Sequence, residues 1–242
     1  MLKLEQLRLT TISQRIEQTV NDAANANLSF ANTLERLIDL ELEARRQRSV
    51  ERQVKQSRLQ SPQSIDAFQF AYHKSRQQAK ARILKLLDLD FVRRGANIVL
   101  VGNPGTGKTM LAKIIALEAC QSNFRVLFTT AMDMLNQLLA AQVDHSLVRK
   151  IKSYTDPALL VVDELGYLAL DQNSSNLLYQ VISARHAFKR STVITTNTAF
   201  SEWGNILHNT TIATAIADRL VENSEVFLLG GESYRKHLQS RG

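Results

Sequence analysis

Residues 97–119 read "NIVLVGNPGTGKTMLAKIIALEA". A short run of Val, Ile and Leu leads into G-x-x-x-x-G-K-T at Gly102–Thr109, and a helical apolar pattern comes next. Each part has a physical reason to stand where it does. A strand buried on both faces carries the chain to one edge of a parallel sheet. Glycines then let the loop wrap with its N–H groups inward, and the succeeding helix adds partial positive charge at its N-terminus. Such a loop cradles phosphate with Gly102, Asn103, Pro104, Gly105, Thr106, Gly107, Lys108 and Thr109. Lys108 is placed to reach the β and γ phosphates, and the Thr109 hydroxyl to ligate Mg²⁺, so the expected cofactors are ATP and Mg²⁺. A glycine turn without a ligand is the competing reading. Strand, motif and helix in register weigh against it.

Outward from this loop the chain repeats one texture. The runs "RVLFTT", "ALLVVD", "TVITT" and "EVFLL" are short, rich in β-branched residues and separated by helical patterns. With "NIVLV" they predict an α/β fold, a five-stranded parallel sheet between helices. Ligands in such sheets bind beyond the carboxyl ends of the strands, so the residues at the end of each run are the candidates for chemistry. "LLVVDELG" delivers Asp163 to a Mg²⁺ shell and Glu164 to polarise a water against the γ phosphate. A pair of acids there can also merely cap the next helix. "TVITTN" ends at Asn197, whose amide can orient the attacking water, although Asn at a strand end is commonly a turn residue. Paired acids favour water as the nucleophile, hence hydrolysis; a small-molecule kinase is the distant alternative.

Composition narrows the class. The 242 residues are 44% hydrophobic and 22% charged, in the range of globular domains. Cys120 is the sole cysteine and the five histidines are scattered, so neither a disulfide framework nor a zinc cluster is available. The first residues, "MLKLEQLRLT", lack a signal-peptide core, and no apolar run approaches the roughly 18 residues of a membrane helix. A cytoplasmic protein with no membrane partner is expected.

The net charge is +7, and residues 1–95 carry most of it, with 17 Lys and Arg against 11 Asp and Glu. "ARRQRSVERQVKQSR" concentrates Arg45, Arg46, Arg48 and Arg52. Such a cluster either neutralises nucleic-acid phosphates or forms a solvated helix face, and composition does not choose. All nine glycines lie at Gly95 or later, so the earlier part reads as helices. Leu9, Ile12, Ile16 and Val20 recur at helical spacing, as do Leu34, Ile38 and Leu42. A helix is expected from Phe30 to about Leu59, and another through "YHKSRQQAKARILKLLDLDF". The division expected is a helical, basic domain over 1–60, a linker over 61–70 and a nucleotide domain over 71–242.

Lys108, Asp163 with Glu164, and Asn197, in this order, resemble the Walker A, Walker B and sensor 1 set of AAA+ ATPases. "SFANTLERLIDLELEARRQR", "VDELGYLAL", "QVISARHAFKRSTVITTN", "FSEWG", "IADRL" and "GESYR" resemble, nearly end to end, the IstB family of transposition helper ATPases. Its neighbours are the DnaC-type helicase loaders. The resemblance implies a homo-oligomer with ATP sites at subunit interfaces, assembled on duplex DNA. It also implies remodelling of that DNA, presentation of it to an IstA-like partner transposase, and disassembly timed by hydrolysis. It implies further that Arg219 is an arginine finger serving the neighbouring subunit, with Arg235 as a second sensing arginine. Only "GGESYRKHLQSRG" lies beyond the last run, so the helical lid of most AAA+ proteins is expected to be missing or reduced. In the loader clade a helical insertion faces the DNA channel. "MDMLNQLLAAQVDHSLVRKIKSY" occupies the matching interval, where Arg149, Lys150 and Lys152 can contact phosphates or form a solvated face. A DnaC-like helicase loader acting on single strands is the alternative function.

Overall fold

A computed structural model describes residues 2–167, 169–208 and 210–231. The chain divides into two compact units, Met1–Arg52 and Gln53–Gly242. The first is helical, with α1 (Leu2–Gln6), α2 (Thr10–Asn25) and most of α3 (Phe30–Gln56).

Both expected helices form, but α3 turns a different face inward from the one its leucines suggest. Leu37 and Glu41 are buried, while Leu34, Ile38 and Leu42 are exposed. The reason is the N-terminus of α2. Its first N–H groups have no partner within the helix, and the Glu41 carboxylate accepts from the N–H groups of Thr11 at 2.7 Å and Ile12 at 3.2 Å. Arg45 Nε, at 2.9 Å, and Arg48 Nη2, at 3.3 Å, complete the carboxylate's shell. Arg45 also donates to the Arg8 carbonyl, and Arg48 to the Thr10 hydroxyl, so both arginines fasten α2 to α3.

The second unit is built on β1 (Asn97–Val101), β2 (Val126–Thr130), β3 (Leu159–Leu165), β4 (Ser191–Thr196) and β5 (Ser224–Leu228). All five pair in parallel, in the order β2-β3-β4-β1-β5. Alternation along the strands feeds two cores. Ile98, Leu100, Val161 and Val193 join one face, with Ile83 of α4 (Lys74–Leu86) and Leu111 and Ile115 of α6 (Lys108–Gln121). Leu160, Val162 and Ile194 join the other, with Met134 of α7 (Ala131–Val143) and Leu177 of α9 (Gln172–Ala187). Trp203 of α10 (Trp203–Ile206) and Ile216 of α11 (Thr210–Val221) close the same face. The result is the three-layer helix, sheet, helix sandwich that βα alternation predicts.

One departure has a local cause. The helix expected through "LLDLDF" breaks at Leu89, which is left-handed with φ 59° and 1% exposed, and restarts as α5 (Asp90–Arg94). Burying Leu86, Leu89 and Phe91 together outweighs keeping one straight helix. Within residues 61–70 the chain makes a 3₁₀ turn at Ile65–Ala67 and buries Phe68 in the first core. The insertion between β2 and β3 folds as α7 and α8 (Leu147–Thr155), hinged at left-handed His145. Among the described residues no helix is long and apolar enough to cross a membrane.

Candidate functional site

The sheet order places β1, β4 and β3 side by side. Gly102, Asn197 and Asp163 therefore emerge at neighbouring strand ends. Gly102 N–H donates to the Thr196 carbonyl at 3.1 Å, which fastens the start of the loop to β4. Gly105 and Gly107 take φ of 81° and 93°, the left-handed region that lets the loop wrap. A Cβ on Gly102 would run into the Leu229 carbonyl oxygen, so no larger residue fits. Thr106 is buried and closes the turn onto the Asn103 carbonyl at 2.8 Å, while Asn103 and Pro104 stay exposed at its tip. Helix α6 begins at Lys108, whose ammonium lies across the Gly102 and Asn103 carbonyls at 2.6 and 2.9 Å.

Asp163 is 3% exposed, and its Oδ1 accepts from the Thr109 hydroxyl at 3.1 Å. A hydroxyl and a carboxylate this close form the hard-oxygen pair that Mg²⁺ takes beside phosphate oxygens. Glu164 is exposed and left-handed, with φ 63°. The register explains this. Val162 pairs with Ile194 and Leu165 with Thr196, so Asp163 and Glu164 together oppose the single residue Thr195. This bulge turns Asp163 inward and Glu164 outward. Gly166, with φ 97°, then passes within contact of Thr198 and Ile206. Asn197, one residue beyond β4, has a buried Oδ1 without a hydrogen-bond partner.

Among the described residues Glu164 lines three cavities, and two of them border the phosphate loop or its Thr109. One, of about 170 Å³, runs along the loop between Gly105, Lys108 and Tyr167 and is walled by Ala67, Gln69 and Arg76. The other, of about 290 Å³, lies beyond Asp163 and is lined by Thr109, Lys113, Thr130 and Asp133. Arg76 was not expected from sequence. It is 3% exposed and donates twice to the Thr106 carbonyl, at 3.1 and 2.6 Å, and once to the Gln69 carbonyl. Its guanidinium lies over the Phe68 and Tyr72 rings. A lone arginine in "HKSRQQAK" gives no signal of this, because its partners are backbone carbonyls.

Arg219 is not brought to this site. The side chain of Asn97, the first residue of β1, donates to the Arg219 and Leu220 carbonyls. The Arg219 backbone thus sits at the opening end of the strands, a strand length or about 15 Å from the end where the phosphate loop begins. Its guanidinium is half-buried, 4.9 Å over the Tyr179 ring, and bonds the Tyr179 hydroxyl and the Ala215 carbonyl. Arg235 lies outside the described residues. Of the basic residues, Arg45 and Arg48 are engaged with Glu41. Lys150 donates to Gln137 Oε1, which also accepts from Tyr154 and Arg58. Arg46, Arg52, Arg149 and Lys152 are exposed.

Residues 2–242 match the family described as IstB-like ATP binding protein. The chain belongs to this family. It is 38% identical over 229 residues to the insertion sequence IS5376 putative ATP-binding protein of Geobacillus stearothermophilus, covering 95% of this chain and 90% of the relative. To the IS232 putative ATP-binding protein of Bacillus thuringiensis subsp. berliner it is 34% identical, covering 96% and 92%. Among solved structures, the DnaC helicase loader superimposes with a TM-score of 0.61 at 21% identity, over 69% of this chain and 96% of that one. At that identity the likeness is one of fold, and the IstB-like chain shares the α/β core of the DnaC helicase loader.

Proposed function

We propose that this chain is a Mg²⁺-dependent ATPase that assembles on duplex DNA as a transposition helper. In this reading it remodels the DNA, recruits a partner transposase and disassembles when ATP is hydrolysed. One observation carries it: the phosphate loop, Asp163, Glu164 and Asn197 gather at adjacent strand ends, while Arg219 stands at the opposite end of the same sheet. A single copy holds the parts that bind nucleotide and orient water, and the finger has to come from a second copy. The homo-oligomer with interfacial sites is a consequence of that division.

The roles derive from the chemistry of each group. The loop amides and Lys108 bind phosphate, for which Lys108 exchanges two neutral carbonyls for a charged acceptor. Thr109 and Asp163 would hold Mg²⁺, which supplies charge neutralisation between the phosphates. Glu164 takes a proton from water, Asn197 orients that water, and Arg219 of a neighbouring copy offsets charge on the transferring group. Arginine fingers of this kind are worth on the order of 10³-fold or more in rate. Arg235 remains the second sensor of the proposal. DNA phosphates are best met by the exposed Arg46, Arg52, Arg149 and Lys152, and less by Arg45, Arg48 and Lys150. The domain division into 1–60, 61–70 and 71–242, and a cytoplasmic location, belong to the same reading.

Glu164→Gln tests it. The variant is expected to bind ATP and to accumulate on duplex DNA in gel shifts, with phosphate release lost, whereas Lys108→Ala abolishes nucleotide binding and assembly. Loss of DNA binding in Glu164→Gln would refute the timing role of hydrolysis. Preference for single strands in the presence of a non-hydrolysable ATP analogue would point to a helicase loader instead.

A further inference from the structure

We infer that Thr195 is a positioning residue for hydrolysis, which fixes Asp163 and Glu164 relative to one another through a single hydroxyl. The inference rests on the proposed roles of those two acids and deepens them. Thr195 is 1% exposed and stands alone opposite the two bulged residues of β3. A bulge leaves its extra residue without a ladder partner, so the Glu164 N–H has no acceptor within the strand ladder. The Thr195 Oγ1 accepts that N–H at 2.9 Å. The same oxygen donates its own hydrogen to Asp163 Oδ1 at 2.5 Å.

The direction of the two bonds makes this more than a filled valence. A hydroxyl has one hydrogen and two lone pairs. With the hydrogen committed to Asp163, the oxygen's remaining capacity faces Glu164. Asp163 Oδ1 accepts from Thr109 as well, so one chain of contacts runs Thr109, Asp163, Thr195, Glu164. It starts in the first turn of α6 and ends at the backbone of the water-activating acid. Glu164 also holds a left-handed backbone, with φ 63°, a conformation that in a non-glycine residue persists only where neighbours enforce it. The Thr195 hydroxyl is one such enforcement, and it ties the aim of Glu164 to the carboxylate assigned to Mg²⁺. Valine has the shape of threonine and neither bond. Serine keeps both bonds without the methyl group.

Steady-state phosphate release and binding of a fluorescent non-hydrolysable ATP analogue, measured on the full chain with duplex DNA, test this. Thr195→Val should lower kcat on the order of 10–100-fold, the cost common to lost supporting contacts, while analogue affinity is kept. Thr195→Ser should restore kcat. If the valine chain does not fold, Thr195→Ala removes the same hydroxyl and is read the same way. A hydroxyl-free variant with parental kcat overturns the inference, and so does a serine variant as slow as the valine one, since packing would then explain the loss. Glu164→Gln measured alongside separates the two levels. If it hydrolyses ATP normally, the assignment of Glu164 itself fails; if it is inactive while Thr195→Val is not, only the role of Thr195 falls.

Discussion

Replacing Arg185 by Met should destabilise the nucleotide-binding unit more than any change on its outer helix faces. Arg185 lies on α9 at 1% exposure, yet its partners are oxygens of the backbone and one hydroxyl. Nη1 donates to the carbonyls of Tyr154, Pro157 and Thr155 at 2.8, 3.0 and 3.5 Å, and Nη2 to those of Ser191 and Ala158. Nε bonds the Thr192 hydroxyl at 3.0 Å. Burial pushes its pKa down to about 9, with the nearby Arg190 adding to the shift, so the group still carries its charge at neutral pH. Those carbonyls close the end of α8, the turn into β3 and the start of β4. Met fills similar volume and removes the cost of burying a charge, but leaves the carbonyls facing hydrocarbon. Each buried acceptor left unpaired costs about 1–3 kcal/mol, so even after the relief of no longer burying a charge the net loss should be about 3–5 kcal/mol. At about 2–4 °C per kcal/mol for a unit of this size, Tm should fall by about 6–20 °C. Thermal unfolding followed by circular dichroism reads this directly, and Arg185→Lys, with three donors on a point charge, should recover only part of it. A Met variant within about 2 °C of the parent would show that the carbonyls find other partners, and the reasoning would fail.

Acid should loosen α2 through Glu41. Burial raises the Glu41 pKa, but hydrogen bonds from Arg45 and from the Ile12 and Thr11 N–H groups outweigh it, and the net value lies below 4.5. Its contribution is therefore fully present above the unfolded pKa and lost as pH falls through the lower folded value. Hydrogen exchange of α2, corrected for intrinsic rates, should show protection that falls from pH 5 to pH 3 in the parent; in Glu41→Gln it should be weaker at pH 5 and nearly flat, and a parallel decline in both would disprove the linkage. Gly166→Ala should cost about 1–3 kcal/mol, since φ is 97° and a Cβ would lie 2.7 Å from Thr198 Oγ1. The expected readout is a lower Tm together with slower phosphate release, because the same turn comes directly after Glu164; an unchanged Tm would show the turn to be slack.

The strands were legible because each is a short β-branched run, and burial on both faces demands that composition of any central parallel strand. Which face of a helix turns inward was less so. Leu34, Ile38 and Leu42 have the spacing of a buried stripe, and they correctly predict helix, but they lie exposed. The inward position is decided by Glu41, because the first N–H groups of α2 need an acceptor more than Leu42 needs cover. No periodicity of apolar residues carries that information. The break at Leu89 was hidden for a related reason, since "LLDLDF" satisfies a helical pattern until three apolar side chains must enter the same core.

A similar division runs through the candidate site. Lys108, Thr109, Asp163, Glu164 and Asn197 were readable because the proposed ligand dictates their chemistry, and a phosphate or a metal ion accepts few residue types at few spacings. Arg76, Thr195 and Arg185 were not, because each answers to the protein's own backbone, and backbone N–H and C=O groups are alike at every position. Their identity is set by where a bulge, a loop carbonyl or a helix end leaves a group unpaired, which only the register of β3 against β4 and the path of the loop define. Thr195 shows the limit most plainly. In "TVITTN" it is one strand threonine among three, and only the pairing register shows that it faces two residues where Thr192 and Thr196 each face one.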